Sequence, residues 1–200
     1  MKKIVFVLIL SLGMTATAQQ RFDAALLGGV NMCQIDGDDA GRYNYLGFRG
    51  GIGASFPLSR DVATPWRMVV ELAYTQKGSR MVSRDGTIAL QYVELPLLLS
   101  YTAMEGRLRI AAGVAPAVRV GVAVTFGGLR SAAQEDKYRS VDWLPLTVGL
   151  RYLFTDHIAV EGRWQTSLLT IYDGSGPYRI FYSNHGAFNR LISVGLAYQF

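Results

Sequence analysis

Apolar side chains alternate with polar or small ones along most of the chain beyond residue 20, and this period of two limits the possible folds most strongly. The alternation is clear in the segment from Trp66, where Trp66, Met68, Val70, Leu72 and Tyr74 are interleaved with Arg67, Val69, Glu71, Ala73 and Thr75. Successive side chains of a β-strand point to opposite faces, so this pattern indicates strands with one apolar face. Similar patterns begin at Leu46, Leu108, Leu144 and Ile192.

Three further segments, 22–33, 87–101 and 157–172, alternate less regularly, but their spacing and their Gly- and Asp-rich boundaries also favour strands. The predicted connections at 34–44, 78–87, 122–140 and 173–187 are long, those at 102–107 and 154–157 are tight, and 57–65 is intermediate. Short turns at one end and long loops at the other are typical of outer-membrane barrels. The sequence therefore predicts an all-β fold: an eight-stranded antiparallel transmembrane up-and-down β-barrel of the outer-membrane type.

The first residues have the pattern of a secretory signal peptide. Lys2 and Lys3 precede the apolar run IVFVLIL, and Ala16-Thr17-Ala18 follows it. This pattern predicts a signal peptide over 1–18, cleavage between Ala18 and Gln19, and a barrel domain over 19–200. The formal net charge of +5 includes both leader lysines, so the basic balance is weak evidence for a nucleic-acid partner, and we expect none. The predicted location is the cell outer membrane.

Alternation alone also fits a soluble barrel with its apolar face inward. Glycine distinguishes the two cases, because the polar face carries Gly47, Gly51, Gly53, Gly113, Gly121, Gly149 and Gly195. The interior of an eight-stranded barrel has room for few large side chains, whereas glycine on a solvated face would only weaken the strands. These glycines favour the membrane barrel, with its polar face inward.

Aromatic residues fall near the predicted strand ends, where the water–lipid boundaries would lie. The set expected at the end with short turns is Phe22, Phe56, Trp66, Tyr101, Tyr152, Phe154, Tyr198 and Phe200. Tyr74, Phe126 and Tyr172 are expected near the opposite end.

Charged residues on the polar face are then predicted to lie inside the barrel. They are Arg49, Arg67, Glu71, Lys77, Glu94, Arg109, Arg119, Arg151, Glu161 and Arg163. Buried charges are tolerated when they are paired, so we expect an ion-pair network that fills the interior. The alternative is a gated polar pathway, for which eight strands leave little room.

Five stretches of the chain carry a recognisable pattern: ELAYTQKGS (71–79), LQYVELPLLLSY (90–101), LLGGVNMCQI (26–35), GFRGGIGASFPLS (47–59) and the closing SVGLAYQF. Together they resemble the PorT-like outer-membrane β-barrel family common in Bacteroidota. The resemblance implies the barrel fold and an outer-membrane location, and the named member is linked to type IX secretion and gliding. Tyr198 and Phe200 resemble the terminal signature read by the outer-membrane assembly machinery.

A search of the sequence for chemistry predicts no enzyme, no cofactor and no metal site. His157 and His185 are expected at opposite membrane faces, so they cannot share a site. Ser183-Asn184-His185 could recruit Glu135 or Asp136 from the neighbouring loop, but nothing in the spacing demands a catalytic triad. Asp36, Asp38 and Asp39 lack the later glutamate of a calcium loop. Arg42, Arg130 and Arg139 in external loops are candidates for lipid phosphates or ordinary interface anchors.

These observations predict a non-enzymatic barrel with a structural, accessory or interaction role through its external loops. The expected partners are outer-membrane lipid and lipopolysaccharide, the assembly machinery, and secretion or envelope proteins. The alternatives are a PorT-like component of secretion or envelope biogenesis, a narrow pore, and a loop-borne hydrolase.

Overall fold

A computed structural model of the chain describes residues 22–37, 43–59, 64–81, 85–172 and 186–200. The strands are β1 (Asp23–Asp36), β2 (Tyr45–Pro57), β3 (Trp66–Met81), β4 (Gly86–Glu94), β5 (Leu97–Ala103), β6 (Leu108–Val114), β7 (Ala117–Phe126), β8 (Leu129–Arg130), β9 (Val141–Asp142), β10 (Pro145–Leu153), β11 (Ile158–Ser167) and β12 (Phe188–Gln199). A short helix, α1, spans Ala132–Glu135, and a 3-10 turn spans Met104–Gly106. Across the described ranges, no helix has the length and apolar character needed to cross a membrane.

The strands close into a ring. Antiparallel pairs run in the order β1, β2, β3, β5, β6, β10, β11, β12, and β12 pairs again with β1. Strands β4, β7 and β9 continue β5, β6 and β10 beyond short breaks and pair with the same neighbouring wall. The barrel thus has eight wall strands and confirms the predicted fold class. Closure gives the edge strands partners, which a sheet in lipid requires.

Three prolines break the wall strands without opening the wall. Pro96, Pro116 and Pro145 lie at the breaks or at the start of the next strand, and proline has no N–H to donate. Each proline carbonyl instead accepts from the neighbouring strand: from the N–H of Glu71 at 3.0 Å, of Leu95 at 2.9 Å and of Ala115 at 2.9 Å, respectively. The wall therefore stays hydrogen-bonded along this row of prolines.

The outer face of the barrel is apolar. Large exposed side chains point outward from every wall strand, among them Leu26, Val30, Phe48, Ile52, Leu72, Val93, Leu99, Ile110, Val118, Val148, Leu150, Val160, Val194 and Leu196. The charged residues Arg80 and Arg190 lie outside this band, near the strand ends with long connections. A soluble barrel would bury its apolar face, so the apolar exterior indicates that this surface contacts lipid.

Two local predictions from the sequence are wrong. Residues 78–87 were expected to form a long loop, but β3 and β4 pair through Gly78 and Ser79 and leave only 82–85 as the connection. A side chain at Gly78 would place its Cβ 2.1 Å from the Ile88 carbonyl oxygen. This glycine therefore permits a close approach of two strands, although its composition resembles a turn.

The inward and outward assignment also fails where strands are irregular. The alternation that starts at Leu144 assigns the preceding Trp143 to the inner face, but Trp143 is 60% exposed because the strand breaks between β9 and β10. Gly121, also expected inside, pairs with the exposed Gln91, and the register shifts between Gln91 and Tyr92. A bulge adds one residue to a strand and so changes which face the following residues occupy.

The neighbouring glycines Gly28 and Gly29 of β1 offer a test of the close strand packing. A Cβ at Gly29 would lie 2.6 Å from the Val194 carbonyl oxygen and 2.8 Å from the Gly195 Cα, whereas a Cβ at Gly28 would meet nothing within 4 Å. We expect Gly29→Ala to lower the free energy of unfolding by about 1–3 kcal/mol through overpacking. Gly28→Ala should leave the free energy of unfolding unchanged or raise it by about 0.4–1 kcal/mol. Urea unfolding of the refolded barrel measures both, and equal effects would contradict the close β1–β12 contact.

Candidate functional site

Two glutamates and three arginines form the centre of the barrel interior. Glu71 of β3 lies 2.6 Å from Nη2 of Arg49 and 2.6 Å from Nη2 of Arg163. Glu161 of β11 receives Nε of Arg151 at 2.9 Å and Nη1 of Arg49 at 3.1 Å, and it also pairs with Arg163. These five side chains come from β2, β3, β10 and β11, so the network links opposite walls across the interior.

A second group lies closer to the short turns. Oδ2 of Asp23 is 3.1 Å from Nη2 of Arg67 and 3.1 Å from Nη2 of Arg109. Nε of Arg67 also donates to the Ser55 hydroxyl at 3.2 Å. One carboxylate therefore serves two guanidinium groups at this end of the barrel.

On the other side of the central network, Lys77 and Glu94 form a nearly dry ion pair. Nζ of Lys77 is 2.7 Å from Oε1 of Glu94, and both side chains are at most 2% exposed. Glu94 also accepts from the Thr75 hydroxyl at 2.9 Å, and Gln165 Nε2 lies 3.4 Å away. The ammonium group of Lys77 sits 5.0 Å from the centre of the Tyr92 ring. Such a cation–π contact helps to compensate for the lost hydration of the lysine.

Arg119 lies apart from these groups. Its Nη1 donates to the backbone carbonyl of Glu135 at 3.1 Å, in the segment that follows β8. Nine of the ten predicted interior charges therefore lie in the three groups described above, and Arg119 instead supports a connecting segment.

Asp142 is an interior carboxylate that the sequence did not reveal. Its Oδ2 accepts from Ser167 and lies 3.4 Å from Nδ2 of Asn189, and the same Nδ2 lies 3.4 Å from the Tyr92 hydroxyl. The inward position of Asp142 could not be predicted because Asp142 lies beside the strand break at Trp143, where the alternation is lost.

The interior at the end with long connections is apolar. Buried side chains from several strands pack there around Tyr92, and the cluster comprises Ile35, Met81, Ile88, Leu90, Tyr92, Ala117, Val124, Tyr138, Ile171 and Ala187. Phe126 and Tyr172, expected among the lipid-facing aromatics, are partly buried against this cluster instead. In the described part of the barrel, charged side chains thus occupy the interior toward the short turns, and an apolar plug occupies the opposite end.

The aromatics predicted at the short-turn end are all exposed on the barrel surface. Several meet edge to face, as in the pairs Trp66–Tyr101 at 5.0 Å and Tyr198–Phe200 at 5.2 Å between ring centres. This arrangement is typical of the aromatic belt at a membrane interface.

The structure describes some of the residues considered for chemistry. His157 lies in an exposed turn, where its Nδ1 is 2.9 Å from the Gln199 carbonyl oxygen. Asp36 pairs with Arg190 at 3.0 Å. In the described ranges, no three metal-ligating side chains lie together. Several sequence candidates fall outside the described residues: Ala18, Gln19, Asp38, Asp39, Arg42, Ser183, Asn184 and His185.

Arg130 and Glu135, two of the residues considered in the external loops, pair with each other. Arg130 Nη2 donates to Glu135 Oε2 at 3.0 Å, and Arg130 Nε donates to Oε1 of the same carboxylate. This hydrogen bond holds the pKa of Glu135 below its ordinary value. Glu135 is therefore an ion-pair partner of Arg130, which leaves neither group poised for acid–base catalysis.

A closed antiparallel barrel with an apolar exterior, an aromatic belt and a polar core defines the class of outer-membrane β-barrel proteins. The comparison with family models agrees: residues 17–173 match the outer membrane protein beta-barrel domain, and the chain belongs to this family. A search of curated protein sequences gives no match.

Solved structures of outer-membrane barrels are similar to this chain at low sequence identity. Ail, the attachment invasion locus protein of Yersinia pestis, is 9% identical, with a TM-score of 0.46 over 90% of this chain and 99% of that one. Neisserial surface protein A is 13% identical, with a TM-score of 0.46 over 90% and 96%. OprG from Pseudomonas aeruginosa is 15% identical, with a TM-score of 0.35 over 92% and 98%.

Proposed function

We propose that this protein is a non-conducting, non-enzymatic barrel that serves as a scaffold, with a structural, accessory or interaction role for its long external connections. The filled interior carries this proposal. Ion pairs that link opposite walls occupy one half, and the plug around Tyr92 occupies the other. A water-filled path would require polar space along the whole axis, and the apolar plug interrupts it.

The proposed orientation follows from the connections. The turns at 104–107 and 154–157 lie at the end where the first and last strands begin and finish, and 127–140 lies at the opposite end. Outer-membrane barrels place short turns in the periplasm and longer loops outside. The charged half of the interior then faces the periplasm, and the apolar plug lies beneath the external surface.

Planar-bilayer recording tests the proposal. We expect the refolded protein to show no discrete conductance steps, while a porin refolded in the same lipid shows them. Steps of uniform size from heat-modifiable, folded protein would overturn the non-conducting scaffold and favour the narrow pore.

A role in secretion or envelope biogenesis is the second candidate. Two of the stretches that carry the PorT resemblance, 71–79 and 90–101, lie on neighbouring strands, in which Glu94 pairs with Ala73 and Lys77 contacts Glu94. We expect deletion of the gene to reduce export of secreted proteins if this candidate is right. Normal export in the deletion strain, with an intact barrel in the complemented control, would exclude the secretion role and leave the scaffold role as the remaining candidate.

The external connections supply the test of an interaction role. Replacing residues 173–185 by a short Gly-Ser linker should abolish binding of the refolded barrel to lipopolysaccharide micelles and preserve heat-modifiability. Unchanged lipopolysaccharide binding would exclude this segment as the contact.

A further inference from the structure

We propose that the cavity at the short-turn end of the barrel interior binds a small oxyanion of the phosphate class. This goes beyond the scaffold role and requires only the folded barrel. The observations that carry it are an excess of buried arginine, a cavity lined by those arginines, and an incompletely satisfied guanidinium group within it.

The charges of this half do not balance among the described residues. Three carboxylates, those of Asp23, Glu71 and Glu161, face five guanidinium groups, those of Arg49, Arg67, Arg109, Arg151 and Arg163. Buried charges are costly unless they are paired, and this cost rises with each uncompensated charge. An anion bound beside Arg109 would reduce the excess.

The excess charge surrounds open space. A cavity of about 400 Å³, including space open to solvent, lies within this half. Its charged and hydroxyl-bearing lining comprises Ser55, Arg67, Glu71, Ser100, Arg109, Arg151, Glu161 and Arg163, so four guanidinium groups line it with two carboxylates. A neighbouring cavity of about 220 Å³, which also includes space open to solvent, is lined by Asp23, Glu71, Arg109 and Arg151. Convergent guanidinium groups are suited to oxyanions because their planar N–H groups match phosphate and carboxylate geometry.

Arg109 is the residue best placed to receive the anion. Its Nε is buried and has no hydrogen-bond partner among the described residues. Its Nη2 shares Oδ2 of Asp23 with Arg67, at 3.1 Å from each arginine. That carboxylate oxygen occupies the space between the two guanidinium groups, so the anion would bind beside it, against the Nε of Arg109.

Access is from the short-turn end. Exposure of the side chains rises from 1% at Glu71 to 12% at Arg151, 13% at Arg109 and 22% at Asp23. The Lys77–Glu94 pair on the far side is at most 2% exposed. In the proposed orientation the anion therefore enters from the periplasm.

The test is a titration of the refolded barrel with inorganic phosphate at pH 7.5 and constant ionic strength. Binding to the native state raises the urea midpoint of unfolding. We expect a phosphate-dependent rise for the natural sequence, and a similar rise with sulfate, because the charge and shape of the oxyanion govern recognition.

Three variants locate the site. Arg109→Gln should weaken phosphate binding about tenfold or more, since it removes a charge-assisted donor, and it leaves Asp23 paired with Arg67. Asp23→Asn should strengthen binding, because it removes the carboxylate that competes for the same two arginines. Arg107→Gln is the matched control, an exposed arginine at the same end that lies outside the cavity, and it should bind like the natural sequence.

The outcomes decide the proposal. No shift with phosphate, or equal shifts in Arg109→Gln and Arg107→Gln, would overturn it. A gel-mobility assay of folding distinguishes a folded barrel that does not bind phosphate from a protein that has not folded. Adding phosphatidylglycerol to the detergent distinguishes the source of the phosphate group: competition with inorganic phosphate would indicate a lipid headgroup, and its absence a soluble periplasmic anion.

Discussion

Replacing Glu71 by glutamine is expected to lower the free energy of unfolding of the barrel by about 3–5 kcal/mol. Glu71 lies within hydrogen-bond distance of Arg49, Arg151 and Arg163 and is 2% exposed. Glutamine keeps the volume, so no cavity forms and the loss is electrostatic. The three guanidinium groups would then share Glu161 alone, in an interior that penalises unpaired charge.

Urea unfolding and heat-modifiability in detergent measure this effect. Glu105→Gln is the control, because Glu105 lies exposed in the 3-10 turn and the substitution removes the same charge. The double variant Glu71→Gln with Arg163→Gln should recover part of the loss, since it also removes one unpaired cation, and the two effects would be non-additive. A Glu71→Gln barrel as stable as Glu105→Gln would contradict a network that depends on this carboxylate.

The barrel itself could be predicted from sequence because its two faces differ in chemistry at every second residue. Regular alternation in β2, β3 and β12 reports directly which side chains point inward. Residues such as Arg49, Glu71 and Glu161 could be placed inside by counting along the strand, without knowledge of their partners. Their pairing could not be predicted in this way, because Glu71 and Glu161 pair with the same arginines although they are 90 positions apart in the sequence.

The apolar plug could not be predicted in the same way. Ile88 and Leu90 are buried, while Thr87 and Gln91 lie on the opposite face of β4. The more apolar face of this strand is therefore the inner one, and alternation alone would assign it to the lipid. Only the pairing of β4 with β3 and β7 fixes the assignment. An ion-pair network was expected to fill the interior, whereas the structure places the central ion pairs in one half and an apolar cluster in the other.

Asp23 and Asp142 were missed for a related reason. Each lies where the alternating pattern begins or breaks, at the start of β1 and at the end of β9. A strand end has too few residues to show the period of two, and a proline such as Pro145 interrupts the alternating pattern. Both carboxylates nevertheless partner interior groups, so strand ends deserve inspection whenever a barrel interior carries excess charge of one sign.

Tyr92→Ala is expected to destabilise the barrel by about 3–5 kcal/mol, the range for removing a large buried aromatic side chain. The Tyr92 ring is fully buried at the boundary between plug and charges, with Lys77 above its face and Asn189 near its hydroxyl. Alanine would leave a cavity that rigid strands cannot collapse into, and it would remove the cation–π contact. Tyr92→Phe keeps the ring and should cost only about 1 kcal/mol, through the lost hydroxyl contact.

The adjacent Val93 provides the matched control, because its side chain is 37% exposed on the outer face of the same strand. Val93→Ala should change the free energy of unfolding by less than about 1 kcal/mol. Urea unfolding ranks the three variants, and we expect Tyr92→Ala to be far less stable than Tyr92→Phe. If Tyr92→Ala and Val93→Ala were equally stable, the interior near Tyr92 would be loosely packed, and the argument for a sealed, non-conducting barrel would lose its support.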